Sequence, residues 1–143
     1  MLQSMEGLAS LLLKASQHVR YVAVYFDGKL TTVSRSDSPG ASSSESDKYE
    51  ELIVNPAVLT LVTQRGNIDC GGCEFVLIRY GKFFQLIRAI NAGHVSICIA
   101  PEADPLALSV ELLKLANDDW RIFRSSGRKS MKPRSTRSSP KLE

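Results

Sequence analysis

Three short apolar segments in the second half of the sequence constrain the fold most. They span residues 74–80, 82–89 and 94–100. Only the turn residues Gly81-Lys82 and Asn91-Ala92-Gly93 separate them, and such β-branched and aromatic segments divided by turns are typical of an antiparallel β-meander. Asp104 and Pro105 then begin a long segment with helical apolar spacing, because aspartate caps a helix and proline favours its first position. The sequence therefore predicts three consecutive strands followed by a helix.

The first quarter of the chain predicts a helix and a β-hairpin. Apolar residues recur at three- and four-residue steps across residues 2–17, which is the spacing of an amphipathic helix with one buried side. A β-branched and aromatic segment follows at 21–26, and Asp27-Gly28 is a strong two-residue hairpin turn. Residues 29–34 are then the returning strand. These two strands precede the three of the meander, so the predicted sheet has five antiparallel strands.

A second helix is predicted between the hairpin and the meander. Residues 35–46 are rich in serine and form a loop with almost no apolar surface to bury. Asp47 can cap the helix that follows, which is expected to end before residue 66. We expect an interruption near Val54, because Asn55 is a candidate second cap and Pro56 disfavours helical conformation in the residue before it.

The meander strands carry apolar side chains on both faces of the sheet. In the third strand, Phe75 and Leu77 point to one face, whereas Val76 and Ile78 point to the other. A strand that is apolar on both faces is covered on both faces, so helices are predicted on both sides. The fifth strand differs because one of its faces is semi-polar and consists of His94, Ser96 and Cys98. The predicted fold is α+β, with the order α-β-β-α-β-β-β-α.

Length and charge divide the chain into two parts. Its 143 residues suffice for one domain whose core needs no disulfide or metal. The formal net charge is +3, yet residues 124–143 contain seven basic residues and one acidic residue, so residues 1–123 carry −3. We expect an α/β domain over residues 1–123 and a disordered basic tail over residues 124–143. The tail side chains expected to make electrostatic contacts are Arg128, Lys129, Lys132, Arg134 and Arg137.

The tail allows three interpretations. It is a solvated end without a specific partner, or it contacts an anionic membrane or nucleic acid by charge attraction, or phosphorylation of its serines reverses its charge. The basic residues have no aromatic residue among them, which disfavours binding to single-stranded nucleic acid because base stacking would be missing.

Cysteine usage and the start of the chain indicate a cytoplasmic protein. The number of cysteines is odd and no secretory leader is recognisable, which favours a reducing compartment. Leu11-Leu12-Leu13 is the most apolar part of the opening segment, but Glu6 interrupts that segment and it is too short for a signal peptide or a membrane span.

The motif Cys70-Gly71-Gly72-Cys73 has the spacing of a metal site or a redox pair. One zinc ion cannot also take both His94 and Cys98, because residues four apart in a strand are separated by about 13 Å. A thioredoxin-like motif begins a helix after a strand, whereas this motif precedes a strand. We favour a glycine turn with incidental cysteines and keep a disulfide-forming redox switch as the alternative.

The sequence contains no phosphate-binding loop, dinucleotide fingerprint or nucleophile motif. No catalytic, cofactor-binding or metal-ligating residue is therefore predicted, and the protein is not expected to be an enzyme or to need a cofactor.

The order of elements and the junction from Gly93–Ile99 into residues 101–105 resemble the roadblock family, which comprises the dynein light chain roadblock proteins and their prokaryotic relatives. The resemblance covers approximately residues 2–120. It implies a sheet with the first and last helices on one face and the middle helix on the other. It also implies dimers built from the middle helix and the third strand, without catalytic residues. Family members bind and regulate small Ras-like GTPases or act as assembly platforms in motor and signalling complexes. The Asn55-Pro56 break and the tail depart from the family pattern.

We predict a homodimer, because a third strand at the sheet edge would favour aggregation unless it were paired or covered. The predicted interface residues are Leu52, Val58, Leu59, Val62, Phe75 and Leu77. The resulting hypothesis is a non-enzymatic dimeric regulator or scaffold that binds a small Ras-like GTPase or assembles a signalling or motor complex. The alternatives are a small-molecule sensor domain with a profilin-like sheet, and a membrane- or nucleic-acid-binding protein that acts through its tail.

Overall fold

A computed structural model describes residues 4–35 and 44–127, apart from the side chains of residues 118–127. The helices are α1 (Met5–Ala15), α2 (Ser44–Tyr49), α3 (Asn55–Asp69) and α4 (Pro105–Gly127). The strands are β1 (Val19–Phe26), β2 (Lys29–Ser34), β3 (Val76–Arg79), β4 (Phe84–Ile90) and β5 (Gly93–Ile99). A π-helical turn, Glu50–Val54, joins α2 to α3, and we call these three segments together the middle helix. The predicted α+β class and element order are confirmed.

The strands form one antiparallel sheet in the order β2-β1-β5-β4-β3. β1 lies between β2 and β5, so that Val22 pairs with Val33 on one side and with Ile97 on the other. The β1–β2 hairpin turns at Asp27 and Gly28, whose φ angles of 53° and 83° are both in the left-handed region that a tight two-residue hairpin turn favours. The hairpin predicted from the Asp-Gly pair is therefore confirmed.

Helices α1 and α4 cover one face of the sheet, as expected. Helix α1 begins at Ser4, whose hydroxyl oxygen accepts a hydrogen bond from the Gly7 N–H at 2.9 Å. Its apolar side meets the sheet and α4 in one core, and each fully buried large aliphatic side chain there contributes about 1.5–3 kcal/mol. The core includes Leu8, Leu12, Val22, Val24, Leu86, Val95, Ile97, Ile99, Leu112 and Ala116.

The middle helix covers the other face and continues through the predicted interruption. Val54 and Asn55 both keep helical angles, at φ −69°, ψ −54° and φ −62°, ψ −44°. The N–H of Asn55 donates to the carbonyl of Glu50, five residues earlier. In an α-helix the ring of Pro56 would collide with the carbonyl four residues before it, and a wider π-helical turn relieves that collision. The interruption predicted near Val54 is therefore present as a π-helical turn, and Pro56 lies in the first turn of α3 as predicted, but the chain does not leave the helical conformation and Asn55 is not an N-terminal cap.

Two helix boundaries also differ from the prediction. α2 begins at Ser44, ahead of the predicted cap at Asp47, and α3 extends to Asp69. The end of α3 is fixed by the backbone, because the Gly66 carbonyl accepts hydrogen bonds from the N–H groups of Cys70 and Gly72 at 3.1 and 2.9 Å. The chain thus folds back on the helix directly after Asp69, and the glycines at positions 66 and 72 permit this close approach.

α4 extends to Gly127, past its predicted end at residue 123. The tail residues Arg128, Lys129, Lys132, Arg134 and Arg137 lie outside the described residues, as do residues 36–43 of the predicted loop. The tail contacts and the domain boundary remain predictions. Within the part of the chain that is described, no helix combines the length and apolar character needed to cross a membrane.

Candidate partner surface and the polar cluster beneath it

The middle helix exposes several large apolar side chains to solvent. Leu61 is 68% exposed and Tyr49 is 61% exposed, whereas such side chains are usually at least half-buried in a monomeric domain. Groups of exposed apolar side chains mark interaction surfaces. We call this set the outer apolar surface; it comprises Tyr49, Leu52, Ile53, Leu61 and Ile68.

Only part of the predicted helical interface lies on this surface. Leu52 is exposed, and Val58 and Val62 are half-buried. Leu59 is only 7% exposed and lines a space between the middle helix and the sheet together with Tyr25 and His94. Leu59 therefore stabilises the domain itself and is not available to a partner.

The other two predicted interface residues, Phe75 and Leu77, are partly buried and pack against the core beneath α1 and α4. Phe75 directly precedes β3, which contains Leu77. This strand is nevertheless the edge of the sheet, as predicted, and pairs only with β4 among the described strands. What β3 offers to a partner is thus its free backbone edge rather than these two side chains. The composition of the interface remains a prediction.

Beneath the outer apolar surface, the middle helix turns polar side chains towards the sheet. Glu51 is fully buried, at 0% exposure. Its Oε1 atom lies 2.8 Å from Nε2 of His94 and accepts a hydrogen bond from Nδ2 of Asn55 at 2.9 Å. Its Oε2 atom accepts a hydrogen bond from the Tyr21 hydroxyl at 3.3 Å. The carboxylate therefore joins the helix to both β1 and β5.

Ser96 is a second junction on β5. Its Oγ atom accepts hydrogen bonds from Nδ2 of Asn55 at 3.3 Å and from Nε2 of Gln85 at 2.5 Å. Buried polar groups require such partners, since a group left without one costs about 1–3 kcal/mol. We call this set the buried polar cluster; it comprises Tyr21, Glu51, Asn55, Gln85, His94 and Ser96.

Burial and neighbouring carboxylates shift several pKa values around the cluster. Burial, followed by the Glu51 charge, raises the pKa of Tyr21 well above its usual range. Burial and a hydrogen bond to Glu50 raise the pKa of Tyr80 to about 12, so both phenols remain hydrogen-bond donors at neutral pH. Burial also raises the pKa of Glu50, although the hydrogen bond from Tyr80 opposes that change.

Solved structures share this architecture. The roadblock/LC7 domain from Streptomyces avermitilis superposes with a TM-score of 0.61 at 15% identity, over 85% of this chain and 98% of that one. MglB from Myxococcus xanthus gives a TM-score of 0.63 at 12% identity, over 85% and 95% of the two chains. An MglB structure with a tetrameric arrangement gives 0.64 at 8% identity, over 83% and 86%. The chain has the roadblock fold.

At these identities, the likeness establishes the roadblock fold and not a function. The sequence matches no protein-family model. It also shows no significant similarity to a curated protein sequence.

Within this roadblock fold the three cysteines are free thiols in different environments. Cys70 is exposed and its Sγ lies 3.5 Å from Oδ1 of Asp69, whereas Cys73 is half-buried and Cys98 is buried in β5. His94 is engaged with Glu51, as described above. Across residues 4–35 and 44–117, no group of three or more His, Cys, Asp or Glu side chains is arranged to hold a metal ion.

The sequence did not indicate the roles of Glu51 and Asn55. Glu51 lies within the predicted helix without a signal of its own, and Asn55 was predicted to be a helix cap. The information that pointed to them was the semi-polar face of β5. His94 and Ser96 face the middle helix and are buried, so that helix has to supply hydrogen-bonding partners to them. Glutamate and asparagine four residues apart lie on one face of a helix and meet that requirement.

Proposed function

We propose that this chain is a non-catalytic, dimeric regulator or scaffold that binds a small Ras-like GTPase. The observation that carries the proposal is the outer apolar surface, which leaves side chains such as Leu61 and Ile68 in water. The roadblock fold supports it, because the resemblance of this sequence to that family implies binding of such GTPases.

We propose a dimer because it would bury two exposed features of the domain surface. The outer apolar surface loses contact with water in a two-fold contact, and the free edge of β3 gains hydrogen bonds when it pairs with another strand. The similar MglB structure has a tetrameric arrangement, which supports self-association as a property compatible with this fold. We propose that the middle helix and β3 form the dimer interface.

Sedimentation velocity at micromolar concentration tests the dimer. We expect the full chain to sediment as a dimer and Leu61→Glu to sediment as a monomer, because a carboxylate in an apolar interface loses its hydration. Leu106→Glu is the matched control, since Leu106 is comparably exposed but lies on α4. A monomeric wild-type chain, or equal behaviour of both variants, would contradict the proposed interface.

Affinity capture tests the partner. The immobilised full chain is incubated with lysate of its source cell containing either GDP or a non-hydrolysable GTP analogue, and captured proteins are identified by mass spectrometry. We expect a small GTPase to be enriched in one nucleotide state. Equal enrichment would remove nucleotide sensing and leave a scaffold role, and capture of no GTPase in either state would contradict the proposal.

A further inference from the structure

A cavity of about 380 Å³ lies between the sheet and the start of the middle helix. It is located where β1 begins and β2 ends, on the opposite face of the sheet from the core of α1 and α4. Cavities of this size accommodate small organic molecules. Much of its wall is aromatic, with contributions from Tyr21, Tyr49, Tyr80 and Phe83.

Two oppositely charged side chains in the wall have polar atoms without a partner. Nη1 of Arg20 and Oε2 of Glu50 are both shielded from water, and neither forms a hydrogen bond within the protein. Such atoms are uncommon in folded proteins, and beside a cavity their partner can be a water molecule or a ligand that occupies it. Both side chains have several rotatable bonds, so their ends can turn towards a molecule that enters.

The other charged side chains that line the cavity are Arg35, Asp47 and Glu51, and all three are already engaged. Arg35 also lines the cavity, but its guanidinium donates to the carbonyls of Leu13, Ser16 and Val19 at 2.6, 2.9 and 2.7 Å. Glu51 belongs to the buried polar cluster. The unmatched pair therefore consists of one guanidinium, which suits a carboxylate, and one carboxyl group, which suits an ammonium group.

We propose that this cavity binds a free α-amino acid. Its carboxylate pairs with the guanidinium of Arg20, its ammonium group pairs with Oε2 of Glu50, and its side chain lies among the aromatic rings. The hydroxyl of Tyr80 donates to Oε1 of Glu50 at 3.0 Å, so Oε2 is the oxygen that remains for the ligand. This site uses residues other than those of the outer apolar surface, apart from Tyr49, and its existence does not depend on the dimer or on a GTPase.

Isothermal titration calorimetry of the full chain tests the site, with each protein L-amino acid titrated singly. We expect at least one to bind saturably with a Kd below about 1 mM. For that amino acid, the analogue without its ammonium group and the analogue without its carboxylate are each expected to bind at least tenfold more weakly. Absence of binding by every amino acid would overturn the proposal, as would equal binding of the two analogues.

Two variants assign the contacts. Arg20→Gln and Glu50→Gln each remove one charge, and Gln at position 50 retains an oxygen for Tyr80. We expect each to weaken binding at least tenfold, whereas Arg65→Gln, on the exposed side of α3, is expected to bind as the wild type does. Wild-type affinity in both cavity variants would overturn the proposal. If Arg20→Gln fails to fold, Glu50→Gln and the analogue series decide the outcome.

Discussion

Oε1 of Glu51 lies 2.8 Å from Nε2 of His94, and the two side chains are 0% and 2% exposed. This contact joins the π-helical turn to the first residues of β5, in a layer where apolar packing would be the ordinary solution. A buried polar pair contributes less net stability than its close geometry suggests, but the loss of one partner is costly because the other is left without its hydrogen bonds. The contact therefore specifies where the middle helix sits on the sheet.

Glu51→Ala is expected to destabilise the domain strongly. The substitution leaves His94, Asn55 and Tyr21 without their shared acceptor, and removing one member of a buried pair costs about 3–5 kcal/mol. Urea unfolding followed by circular dichroism measures the change. Glu45→Ala, at an exposed position of α2, is the control and is expected to change the free energy of unfolding by less than about 0.5 kcal/mol. A loss for Glu51→Ala no larger than that of the control would contradict the assigned role.

Glu50 is expected to make stability depend on pH. Burial raises its pKa in the folded protein above that in the unfolded chain, so its favourable contribution is complete below the unfolded pKa and is lost as the pH rises through the folded pKa. Glu50→Gln stays neutral, so it should gain stability relative to wild type as the pH rises from about 4 to about 8. Melting temperatures across this range measure the difference. Glu45→Gln, exposed on α2, is the matched control, and a trend for Glu50→Gln no larger than that of the control would refute the prediction.

The three cysteines are expected to react differently. Burial raises the pKa of Cys98 to about 12, with Arg20 opposing the shift, so its thiolate is scarce at neutral pH. Ellman's reagent should detect two thiols in the reduced native protein and a third only after unfolding. Cys98→Ser should remove the slow thiol alone. If native protein that has not been reduced shows these two thiols only after a reductant is added, Cys70 and Cys73 form a disulfide, which is the redox alternative.

Gly93 is expected not to tolerate a side chain. A Cβ atom there would lie 1.7 Å from the backbone oxygen of Tyr25, so β5 would have to move away from β1. We expect Gly93→Ala to lose about 3 kcal/mol or more, at the upper end of overpacking effects. Gly81→Ala is the matched control, because a Cβ atom there meets nothing within 4 Å. Chemical denaturation of both variants gives the comparison, and equal stabilities would disprove the close approach.

A substitution of the preceding residue, Ala92, should instead increase the stability of the protein. Ala92 has a φ angle of 69°, which costs an L-residue with a side chain about 1–2 kcal/mol. Ala92→Gly removes this strain but adds flexibility to the unfolded chain, so a net gain of about 0.5–1 kcal/mol is expected. Ala107→Gly, exposed in α4, should instead lose about 1 kcal/mol. A less stable Ala92→Gly protein in thermal unfolding would contradict this reasoning.

The hairpin and the meander could be predicted because their determinants are local. The Asp27-Gly28 turn fixes one hairpin, and alternation along 94–100 separates the apolar side of β5 from its semi-polar side. The position of β3 at the sheet edge followed from the family resemblance. These features require only neighbouring residues or a recognised order of elements.

The middle helix could not be predicted in the same way, because its orientation depends on long-range contacts. Sequence reasoning places glutamate and asparagine in water, whereas Glu51 and Asn55 face inwards towards partners on β5. Because Glu51 and Asn55 face the sheet, Leu61 is exposed to solvent. The predicted interface therefore included the buried Leu59 and omitted the exposed Leu61. The cavity beside Glu50 is likewise formed by segments far apart in the chain.

The π-helical turn sets the rotational phase between the two parts of the middle helix. It holds one residue more than the α-helical pattern, and each residue turns an α-helix by about 100°. A deletion of one residue between Glu50 and Val54 would therefore rotate Tyr49 relative to Leu61 while the hydrogen bonds of Asn55 anchor the second part to the sheet. Changes in length at this point would alter which side chains share a face without changing any of them, so a one-residue gap can redirect the surface offered to a partner.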